Sequence, residues 1–408
     1  MEIIADLQIH SKYARATSKN ISIENLEKFA RIKGINLLGV GDFQHPLRRK
    51  EIDEKLTEDG NGILRTANGF PFLWQTEVSL MYSQDGKRRA IHHLIFAPNT
   101  EIANQVTEFL GSRGRLDYDG RPIFGMTSPE LVQELKKIDD KVEIIPAHCM
   151  TPWFGLFGSK SGFDSLKECF QEQAGKVYAI ESGMSADPAM LWRFEEVASG
   201  KARVVSFSDA HSFWPWRLGR EATIFDIPEL TYDNIIKAIR TGEGLKSTIE
   251  TPPEYGKYHW DGHRKCDFSC GPEKTKELNG ICPVCGKPLI IGVENRVEEV
   301  AKNPEGFKPE KWKPFHKLLP LHEVISLASG SRMESKGSWS LYDNLIRDFG
   351  NEFDILLKVS KEQLLGKNFD EKLVDLIIKN REEKIKVAPG FDGEYGKALL
   401  GEKQKTLV

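Results

Sequence analysis

The 408-residue sequence contains no long apolar run. A helix that spans a bilayer needs about 18 to 20 consecutive apolar residues, so none is predicted. The first six residues, Met1-Glu-Ile-Ile-Ala-Asp6, also lack the basic start and the apolar core of a secretory signal peptide. We therefore expect a cytoplasmic protein with no membrane partner.

The sequence is also poor in excess charge and in cysteine. Its formal net charge is -3, so a surface that binds nucleic acid would have to be local. Two of the six cysteines, Cys149 and Cys169, are isolated, and the other four lie between residues 266 and 285. Without a secretory signal, such a cluster favours a metal site over disulfide bonds.

The chain is long enough for more than one domain, because a single core rarely exceeds roughly 250–300 residues. Strand-like and helix-like segments alternate through its first part, and one helix is predicted to be capped at Ser22 and to end at Gly34. We predict a catalytic α/β barrel over 1–250, a four-cysteine zinc-binding module over 251–302, and a basic linker with a helical C-terminal domain over 303–408.

Seven of the strand-like segments end in side chains that can bind metals. In the first segment, the alternation of apolar and polar residues places Asp6, Gln8 and His10 on one face. The other six segments end at Asp42 and His45, Glu77, His92 and His93, His148, Glu181, and Asp209 and His211. Because barrel strands bring their carboxyl ends to one face, we predict a (β/α) barrel with a metal site at its mouth.

The chemistry of these side chains indicates more than one ion. Carboxylates and neutral imidazoles suit Zn²⁺, Mn²⁺ or Fe²⁺ better than Mg²⁺ alone, and there are more of them than one ion needs. We expect two or three divalent ions, Zn²⁺, Mn²⁺ or Mg²⁺. For any single histidine the alternative is a hydrogen-bonded core residue. His92 and His93 point to opposite faces of a strand, and for His92 alone that alternative is favoured.

Six short motifs carry a family resemblance. They are Asp6-Leu-Gln8-Ile-His10-Ser11, Gly41-Asp42-Phe-Gln-His45, Glu77, His93-Leu94, His148 and Asp209-Ala-His211. In this order they are similar to the motifs of the PHP (polymerase and histidinol phosphatase) family, and the resemblance covers about the first 245 residues. It implies a distorted (β/α)7 PHP barrel that holds three divalent metals.

Two positions depart from the PHP pattern. Gln8 stands where the family has a histidine, and Phe43 stands where its second motif has one, with His45 two residues further on. The metal ligands that the resemblance implies are Gln8, His10, Asp42, His45, Glu77, His93, His148, Asp209 and His211. Of these we assign Asp209, His211 and His148 to catalysis.

The cysteine cluster has the spacing of a zinc site. It reads Cys266-x3-Cys270-x11-Cys282-Pro-Val-Cys285-Gly-Lys, and its last part resembles a zinc knuckle. Four thiolates match a closed tetrahedral Zn²⁺ site, so we predict one structural Zn²⁺ held by Cys266, Cys270, Cys282 and Cys285. The alternative is that His263 replaces one thiolate.

Three stretches combine aromatic with basic residues or follow candidate metal ligands. The stretch 308–317 carries lysines interleaved with aromatic rings, which can pair with phosphates and stack on bases, or can form a solvated linker. The aromatic loops 151–157 and 212–217 would flank a barrel mouth and wedge into a duplex, or pack beneath a loop. The substrate-binding residues we predict are Trp153, Phe154, Phe213, Trp214, Trp216, Lys311, Trp312 and Lys313.

The order of barrel, cysteine module and helical tail is similar to that of an archaeal family of PHP-domain DNA-repair endonucleases. The resemblance covers essentially the whole chain. It implies an enzyme that uses metal-activated water to nick damaged double- or single-stranded DNA 5′ to hypoxanthine, uracil, xanthine or an abasic site. Such an enzyme is expected to associate with the nucleoid.

Two further functions remain open from the sequence. The barrel alone fits a small-molecule phosphoesterase of the histidinol phosphatase branch, and the changes at Gln8 and Phe43 would permit a DNA-binding scaffold without catalysis. The last residues, 404–408, resemble the start of a sliding-clamp box but lack its aromatic pair. The sliding clamp is therefore a second expected partner, and an unstructured tail is the alternative.

Overall fold

A computed structural model describes residues 1–399. The strands are β1 (Glu2–Asp6), β2 (Leu37–Gly39), β3 (Thr57–Glu58), β4 (Leu64–Arg65), β5 (Pro71–Leu73), β6 (Gln75–Gln84), β7 (Lys87–Phe96), β8 (Ile123–Phe124), β9 (Glu143–Pro146), β10 (Ala179–Glu181), β11 (Arg203–Val205), β12 (Ala222–Asp226), β13 (Leu245–Glu250), β14 (Asp261–His263), β15 (Phe268–Cys270), β16 (Phe315–Lys317), β17 (Val387–Ala388) and β18 (Lys397–Ala398). The helices are α1 (Ile23–Lys33), α2 (Pro46–Lys55), α3 (Thr100–Arg113), α4 (Ser128–Ile138), α5 (Leu166–Phe170), α6 (Pro188–Leu191), α7 (Glu195–Ala198), α8 (Tyr232–Thr241), α9 (Pro272–Glu277), α10 (Val293–Val300), α11 (Leu321–Ser329), α12 (Lys336–Phe349), α13 (Glu352–Leu357), α14 (Lys361–Gly366) and α15 (Glu371–Arg381).

Local sequence signals set several of these elements. The Ser22 side chain accepts a hydrogen bond from the Asn25 backbone N–H, and α1 stops at Gly34, where φ is 95°. The predicted cap and end of this helix are thus confirmed. The long hairpin of β6 and β7 turns at Asp85 and Gly86, both with positive φ, as the two-residue turns that favour Asp-Gly require.

The strands of the first part form mixed sheets. An eight-stranded sheet has the order β16-β13-β12-β1-β2-β5-β4-β3, a four-stranded sheet has the order β8-β6-β7-β9, and β10 pairs with β11. β1 runs parallel to β2 and antiparallel to β12. The predicted α/β class is confirmed. Hydrogen bonding through the described strands is divided among separate sheets, so it does not form one continuous parallel ring.

The segment after the cysteine module is bound to the main sheet. β16 pairs in parallel with β13, with Phe315 opposite Thr248. Residues 303–320, which the sequence indicates as a linker, therefore supply an edge strand. The glycine-rich turn 390–396 returns to the cysteine module, where the Gly390 carbonyl accepts from the Trp260 backbone N–H at 3.0 Å.

The helical C-terminal part packs on the first part through aromatic rings and one buried ion pair. We call the rings of Trp214, Trp216, His322, Trp339 and Tyr342 the aromatic seam; their neighbouring centroids lie 4.0–5.8 Å apart. Beside it, Lys33 Nζ lies 2.6 Å from Glu352 Oε1 with both side chains buried. In residues 1–399, no helix has the length and apolar character needed to cross a membrane.

Candidate active site

Six side chains that are distant in sequence converge beside the mixed sheets. They form two groups in which the ligand atoms lie within 4.8 Å of one another. His10, His148 and Asp209 follow β1, β9 and β11. Glu77 lies on β6, His92 lies on β7, and His211 comes two residues after Asp209. We call these six the metal cleft: His10, Glu77, His92, His148, Asp209 and His211.

The first group brings two imidazoles against one carboxylate oxygen. His92 Nδ1 lies 2.8 Å from Glu77 Oε1, His148 Nε2 lies 3.5 Å from the same oxygen, and the two ring nitrogens are 3.0 Å apart. The other nitrogen of His148 lies 2.9 Å from Thr151 Oγ1, which orients the ring. Ligating histidines are held by their second nitrogen in this way.

The second group surrounds His10. Its Nε2 lies 3.1 Å from both Glu77 Oε2 and Asp209 Oδ1. His211 Nδ1 lies 2.8 Å from the Asp209 carbonyl oxygen, which leaves Nε2 as its possible ligand atom. Asp209 Oδ1 is buried and accepts no hydrogen bond from residues 1–399.

Glu77 connects the two groups, because each of its oxygens faces one of them. Oxygen and imidazole nitrogen donors suit Zn²⁺, Mn²⁺ or Fe²⁺. The closely facing ring nitrogens of His92 and His148, and the Asp209 oxygen that lies 3.1 Å from His10 Nε2, are what such a site presents to an ion. The residues therefore fit a centre of more than one divalent metal.

The protonation of these histidines follows from their surroundings. Burial lowers the pKa of His92 to about 3, and the nearby Arg121 guanidinium acts in the same direction. His92 is thus neutral, as a metal ligand must be. Burial also opposes charge on His10, but the carboxylates of Asp42, Asp209 and Glu77 outweigh it and hold the pKa of His10 well above its usual value, so His10 must release a proton when a metal binds.

Three residues at the site adopt left-handed backbone conformations. The φ angles are 54° at Asp42, 33° at His148 and 48° at Asp209. Such angles are uncommon outside glycine and carry a cost of about 1–3 kcal/mol each when the residue is strained. Their concentration here indicates a site at which side-chain direction is held by the surrounding fold.

The structure differs from the sequence prediction at His93. Across the β6–β7 hairpin, His92 pairs with Ser79 and His93 pairs with Val78. Because neighbouring positions point to opposite faces, His92 shares the face of Glu77 and His93 does not. His93 Nε2 instead lies 2.9 Å from Ser128 Oγ, so His92 takes the place that the sequence indicates for His93.

The second motif supports the metal cleft without joining its ligand groups. Asp42 Oδ1 lies 2.9 Å from His10 Nδ1 and so orients that ring. Phe43 is buried in the core against Trp74. The predicted ligand His45 is instead the N-cap of α2, where its Nδ1 accepts from the Leu47 backbone N–H. His45 therefore does not replace the histidine missing at Phe43.

Arg121 belongs to the site although the strand-end pattern does not indicate it. Its Nη1 lies 3.1 Å from Glu77 Oε1, and 26% of its side chain is exposed. The preceding Gly120 is pressed against the Asp42 carboxylate, where any side chain would collide, and its carbonyl accepts from Gln44 Nε2 at 2.6 Å. The glycine-rich loop before β8 thus presents a guanidinium at the metal cleft.

A cavity of about 300 Å³ opens beside the metal cleft. Two of the predicted substrate residues line it: Phe154, which stacks on His92 with centroids 4.4 Å apart, and Trp153, which is 42% exposed. Met184 and Tyr258 form other parts of the wall. The cavity provides an apolar space of the kind that takes a small ligand group next to the candidate ligands.

The structure does not bring the other predicted substrate residues into this cavity. Phe213 and Trp216 are buried, and Trp214 and Trp216 belong to the aromatic seam. Trp214 also borders an open groove that carries three lysines: Lys12, Lys19 and Lys28. The loop 212–217 is thus mainly an anchor for the helical part.

Lys311, Trp312 and Lys313 line a different cavity, of about 270 Å³, with Arg203 at the start of β11. None of the six side chains of the metal cleft lines this cavity. The pairing of β16 with β13 fixes this segment at the sheet edge. It lies away from the metal cleft.

The cysteine module also differs from the prediction in one ligand. The group that lies within reach of one ion is His263, Cys266, Cys282 and Cys285. Cys270 pairs with Asp261 at the far end of the β14–β15 hairpin, roughly 7 Å along it from His263, and its Sγ lies 3.2 Å from Thr275 Oγ1. The positions of these side chains therefore favour the alternative with His263 over the four-thiolate site.

The cysteines of this module differ in how readily they ionise, because burial and the neighbouring Cys285 and Cys282 sulfurs raise the pKa of Cys266 to about 11. Burial raises the pKa of Cys282, but the backbone N–H groups of Cys285 and Val284 outweigh this effect and lower it to about 7. His263 Nδ1 lies 3.1 Å from Cys266 Sγ and 3.3 Å from Cys285 Sγ. Three sulfurs and one imidazole make a closed Zn²⁺ site.

Fold and site together define an α/β protein with candidate metal-binding groups beside an open cavity, followed by a cysteine-rich module. The crystal structure of the lesion-specific endonuclease PfuEndoQ from Pyrococcus furiosus is 31% identical, with a TM-score of 0.88, over 100% of this chain and 98% of that one. The chain belongs to the endonuclease Q family.

Two further comparisons extend this result. Endonuclease Q in complex with a 27-mer duplex carrying an abasic lesion at the active site is 30% identical, with a TM-score of 0.87, over 100% of this chain and 99% of that one. The uncharacterized protein MJ0043 of Methanocaldococcus jannaschii is 34% identical over 259 residues, which is 61% of this chain and 31% of that protein. The MJ0043 C-terminal domain family matches residues 320–384.

Proposed function

We propose that this protein is a metal-dependent DNA-repair endonuclease that nicks the phosphodiester bond 5′ to deaminated bases and abasic sites. The observation that carries the proposal is the position of Glu77, whose two oxygens face two separate ligand groups beside an open cavity. The family includes a solved complex with a duplex that carries an abasic lesion. Hypoxanthine, uracil and xanthine are the deaminated bases that we expect as substrates.

The metal ligands in this proposal are the six side chains of the metal cleft, in a distorted PHP barrel. When bound, divalent ions at such a site activate water and stabilise the leaving oxygen of a phosphodiester. Asp42 and Thr151 fix the rings of His10 and His148. Asp209, His211 and His148 remain the residues that we assign to catalysis, with His92 taking the ligand position predicted for His93.

Arg121 is the group that binds the scissile phosphate in this proposal. It is the cation beside Glu77, and its exposed part is available to an oxygen of the substrate. A guanidinium is suited to this task because its planar fork matches phosphate and keeps its charge at any working pH. The loop from Asp119 to Arg121 holds it, since the Arg121 backbone N–H donates to Asp119 Oδ1 at 3.1 Å.

The cavity beside the metal cleft would receive the damaged nucleotide once it leaves the stack. Phe154 and Tyr258 offer ring faces there, and Trp153 stands exposed at the entrance. Extrusion costs least where pairing is already weak, which contributes to selectivity for lesions. The groove with Lys12, Lys19 and Lys28 would contact the backbone of the strand.

The division into a barrel over 1–250, a zinc module over 251–302 and a C-terminal region over 303–408 is part of the same proposal. So is one structural Zn²⁺ in the cysteine module. The sliding-clamp contact depends on residues 404–408, which lie outside the described residues.

Cleavage of end-labelled duplexes tests this proposal. Each duplex carries one deoxyinosine, deoxyuridine, deoxyxanthosine or abasic site, beside an undamaged control, with chelator and then with Mn²⁺ or Zn²⁺ restored. We expect a single metal-dependent nick on the 5′ side of the lesion. No nick in any duplex, together with turnover of a small phosphomonoester, would contradict the proposal and support the phosphoesterase alternative.

A further inference from the structure

Gln8 occupies the centre of the metal cleft in a form that the PHP pattern does not have. It is completely buried after β1, and its Nε2 donates to Glu77 Oε2 at 2.9 Å. The other terminal atom of the same amide, Oε1, accepts no hydrogen bond within residues 1–399. A buried acceptor without a donor carries a free-energy cost of about 1–3 kcal/mol, and a half-turn of this amide gives up no hydrogen bond at Oε1.

The hydrogen-bond partner of the Gln8 amide nitrogen is itself a candidate ligand atom. Glu77 Oε2 lies 2.9 Å from the amide and 3.1 Å from His10 Nε2, which in turn lies 3.1 Å from Asp209 Oδ1. Two adjacent ligands of an octahedral ion with bonds of about 2.1 Å are separated by roughly 3 Å. These pairwise distances would allow the Gln8 amide, Glu77 Oε2 and His10 Nε2 to approach one ion together.

The Oε1 and Nε2 atoms of Gln8 exchange places when its χ3 torsion rotates by 180°. Without a cation, the NH₂ group faces the Glu77 carboxylate, since two oxygens would repel each other. A cation placed among Gln8, Glu77 and His10 reverses this preference. The oxygen of Gln8 then becomes a ligand in the position where the PHP pattern has an imidazole.

We infer that Gln8 Oε1 is a metal ligand and that it shifts this site of the metal cleft from Zn²⁺ towards Mn²⁺ or Mg²⁺. Neutral carbonyl oxygens suit these harder ions, whereas imidazole suits Zn²⁺. The inference rests on the proposed function for the presence of metals in the cleft. The inference concerns the ion that is selected at the position of Gln8, and it is tested on the protein without DNA.

The test compares Mn²⁺ binding and its displacement by Zn²⁺ in three full-length proteins: the natural chain, Gln8→His and Gln8→Met. Each is stripped with chelator and loaded with Mn²⁺, and bound Mn²⁺ is counted by electron paramagnetic resonance while Zn²⁺ is added. Zn²⁺ taken up by the cysteine module is the same in all three. Gln75→Met is the matched control, because Gln75 is another buried glutamine, and its Oε1 accepts from the Gly41 backbone N–H at 3.1 Å.

We expect Gln8→His to lose half of its Mn²⁺ at a Zn²⁺ concentration at least about tenfold lower than the natural chain. Gln8→Met should bind one Mn²⁺ fewer, and Gln75→Met should match the natural chain. Equal displacement curves for Gln8→His and the natural chain, or full Mn²⁺ binding by Gln8→Met, would overturn the inference and leave the proposed function intact.

Failure of the proposed function would give a different result. In that case the natural chain itself would bind no Mn²⁺ beyond the cysteine module, and the inference would fall with it. Unfolding temperatures measured in chelator show whether each variant is folded. If Gln8→His does not fold, the count of Mn²⁺ in Gln8→Met decides alone.

Discussion

The metal cleft and the cysteine module both collect metal-binding side chains, but the two sets differ in reach and in chemistry. The six ligands of the cleft come from positions 10 to 211 and offer oxygen and nitrogen to more than one ion. The four candidate ligands of the module come from positions 263 to 285 and would offer three sulfurs and one nitrogen to a single ion. A complete tetrahedral set leaves no place for substrate, whereas a shared carboxylate beside a cavity does.

This difference assigns separate tasks to the two regions. The hydrophobic cluster of the module is small, with Cys270, Cys282 and Leu289 buried, so loss of a metal that supports it should affect folding. Metal in the cleft is held by side chains that the sheets and their loops already position, so its loss should affect the reaction. The predictions that follow test this separation in order of decreasing free energy.

Cys282→Ser should have the largest effect, on folding. Structural Zn²⁺ in small modules contributes on the order of 10 kcal/mol, so the variant should lose its zinc and expose residues 257–290 to proteolysis. Cys270→Ser should keep the zinc, because Cys270 lies outside the ligand group. Metal analysis and limited proteolysis measure both. Equal zinc loss in the two variants would contradict the Cys3His assignment and return the site to four thiolates.

Asp209→Asn should leave the fold unchanged and slow nicking by on the order of a thousandfold, about 4 kcal/mol. Asparagine tolerates the φ of 48° at this position, so the backbone need not change. Single-turnover cleavage of an inosine duplex measures the rate, with fluorescence anisotropy for DNA affinity as the control. Activity within about tenfold of the natural chain would exclude Asp209 from the metal cleft.

Arg121→Ala should slow nicking by on the order of a hundredfold while the bound metal stays the same. Arg121→Lys should recover part of the rate, since lysine keeps the charge but not the planar fork. The separation of rate from metal content distinguishes a phosphate contact from a structural role. A variant that loses metal together with activity would show that Arg121 only supports Glu77.

The smallest predicted effect is on the pH dependence of stability, and it comes from His322, a histidine outside the two candidate metal sites. His322 is buried in the aromatic seam, and neither ring nitrogen has a hydrogen-bond partner in the described part of the chain. Burial lowers the pKa of His322 to about 3, and Lys33 adds to this. The unfolded chain, with an ordinary pKa, therefore binds more protons below about pH 6.5, and stability falls as pH falls.

Between pH 6.5 and 5.5 this histidine should lower the free energy of unfolding by about 1 kcal/mol. His322→Phe should remove that part of the slope, and denaturant unfolding at both pH values measures it. Because His322 is far in sequence from both ligand groups and packs on the rings of Trp216, Trp339 and Tyr342, the difference in slope between the natural chain and His322→Phe should be the same with and without metals. A difference in slope that changes with metal would connect the seam to the cleft.

Local signals in the sequence predict this molecule well where the deciding interactions are local. The cap at Ser22 and the end at Gly34 need only neighbouring residues. Repetition of His, Asp and Glu at strand ends indicates Glu77, His148 and Asp209 because each lies near the end of a short apolar segment. The family and the α/β class follow from the same motifs.

Long-range pairing decides the positions that the sequence does not predict. His92 and His93 are both buried, and only the pairing of β6 with β7 shows which one shares the face of Glu77. The hairpin register likewise separates Cys270 from His263. Arg121 comes from a loop, and its only local signal is the glycine-rich stretch before it.

The central claim is that the six side chains of the metal cleft bind the divalent ions, and crystals soaked in Mn²⁺ test it most directly. Anomalous scattering locates manganese without any assumption about the reaction. We predict at least two peaks, on opposite sides of the Glu77 carboxylate, one near His92 and His148 and the other near His10 and Asp209. Crystals of a protein that still nicks inosine duplexes with Mn²⁺, yet show manganese elsewhere or none at Glu77, would contradict the account.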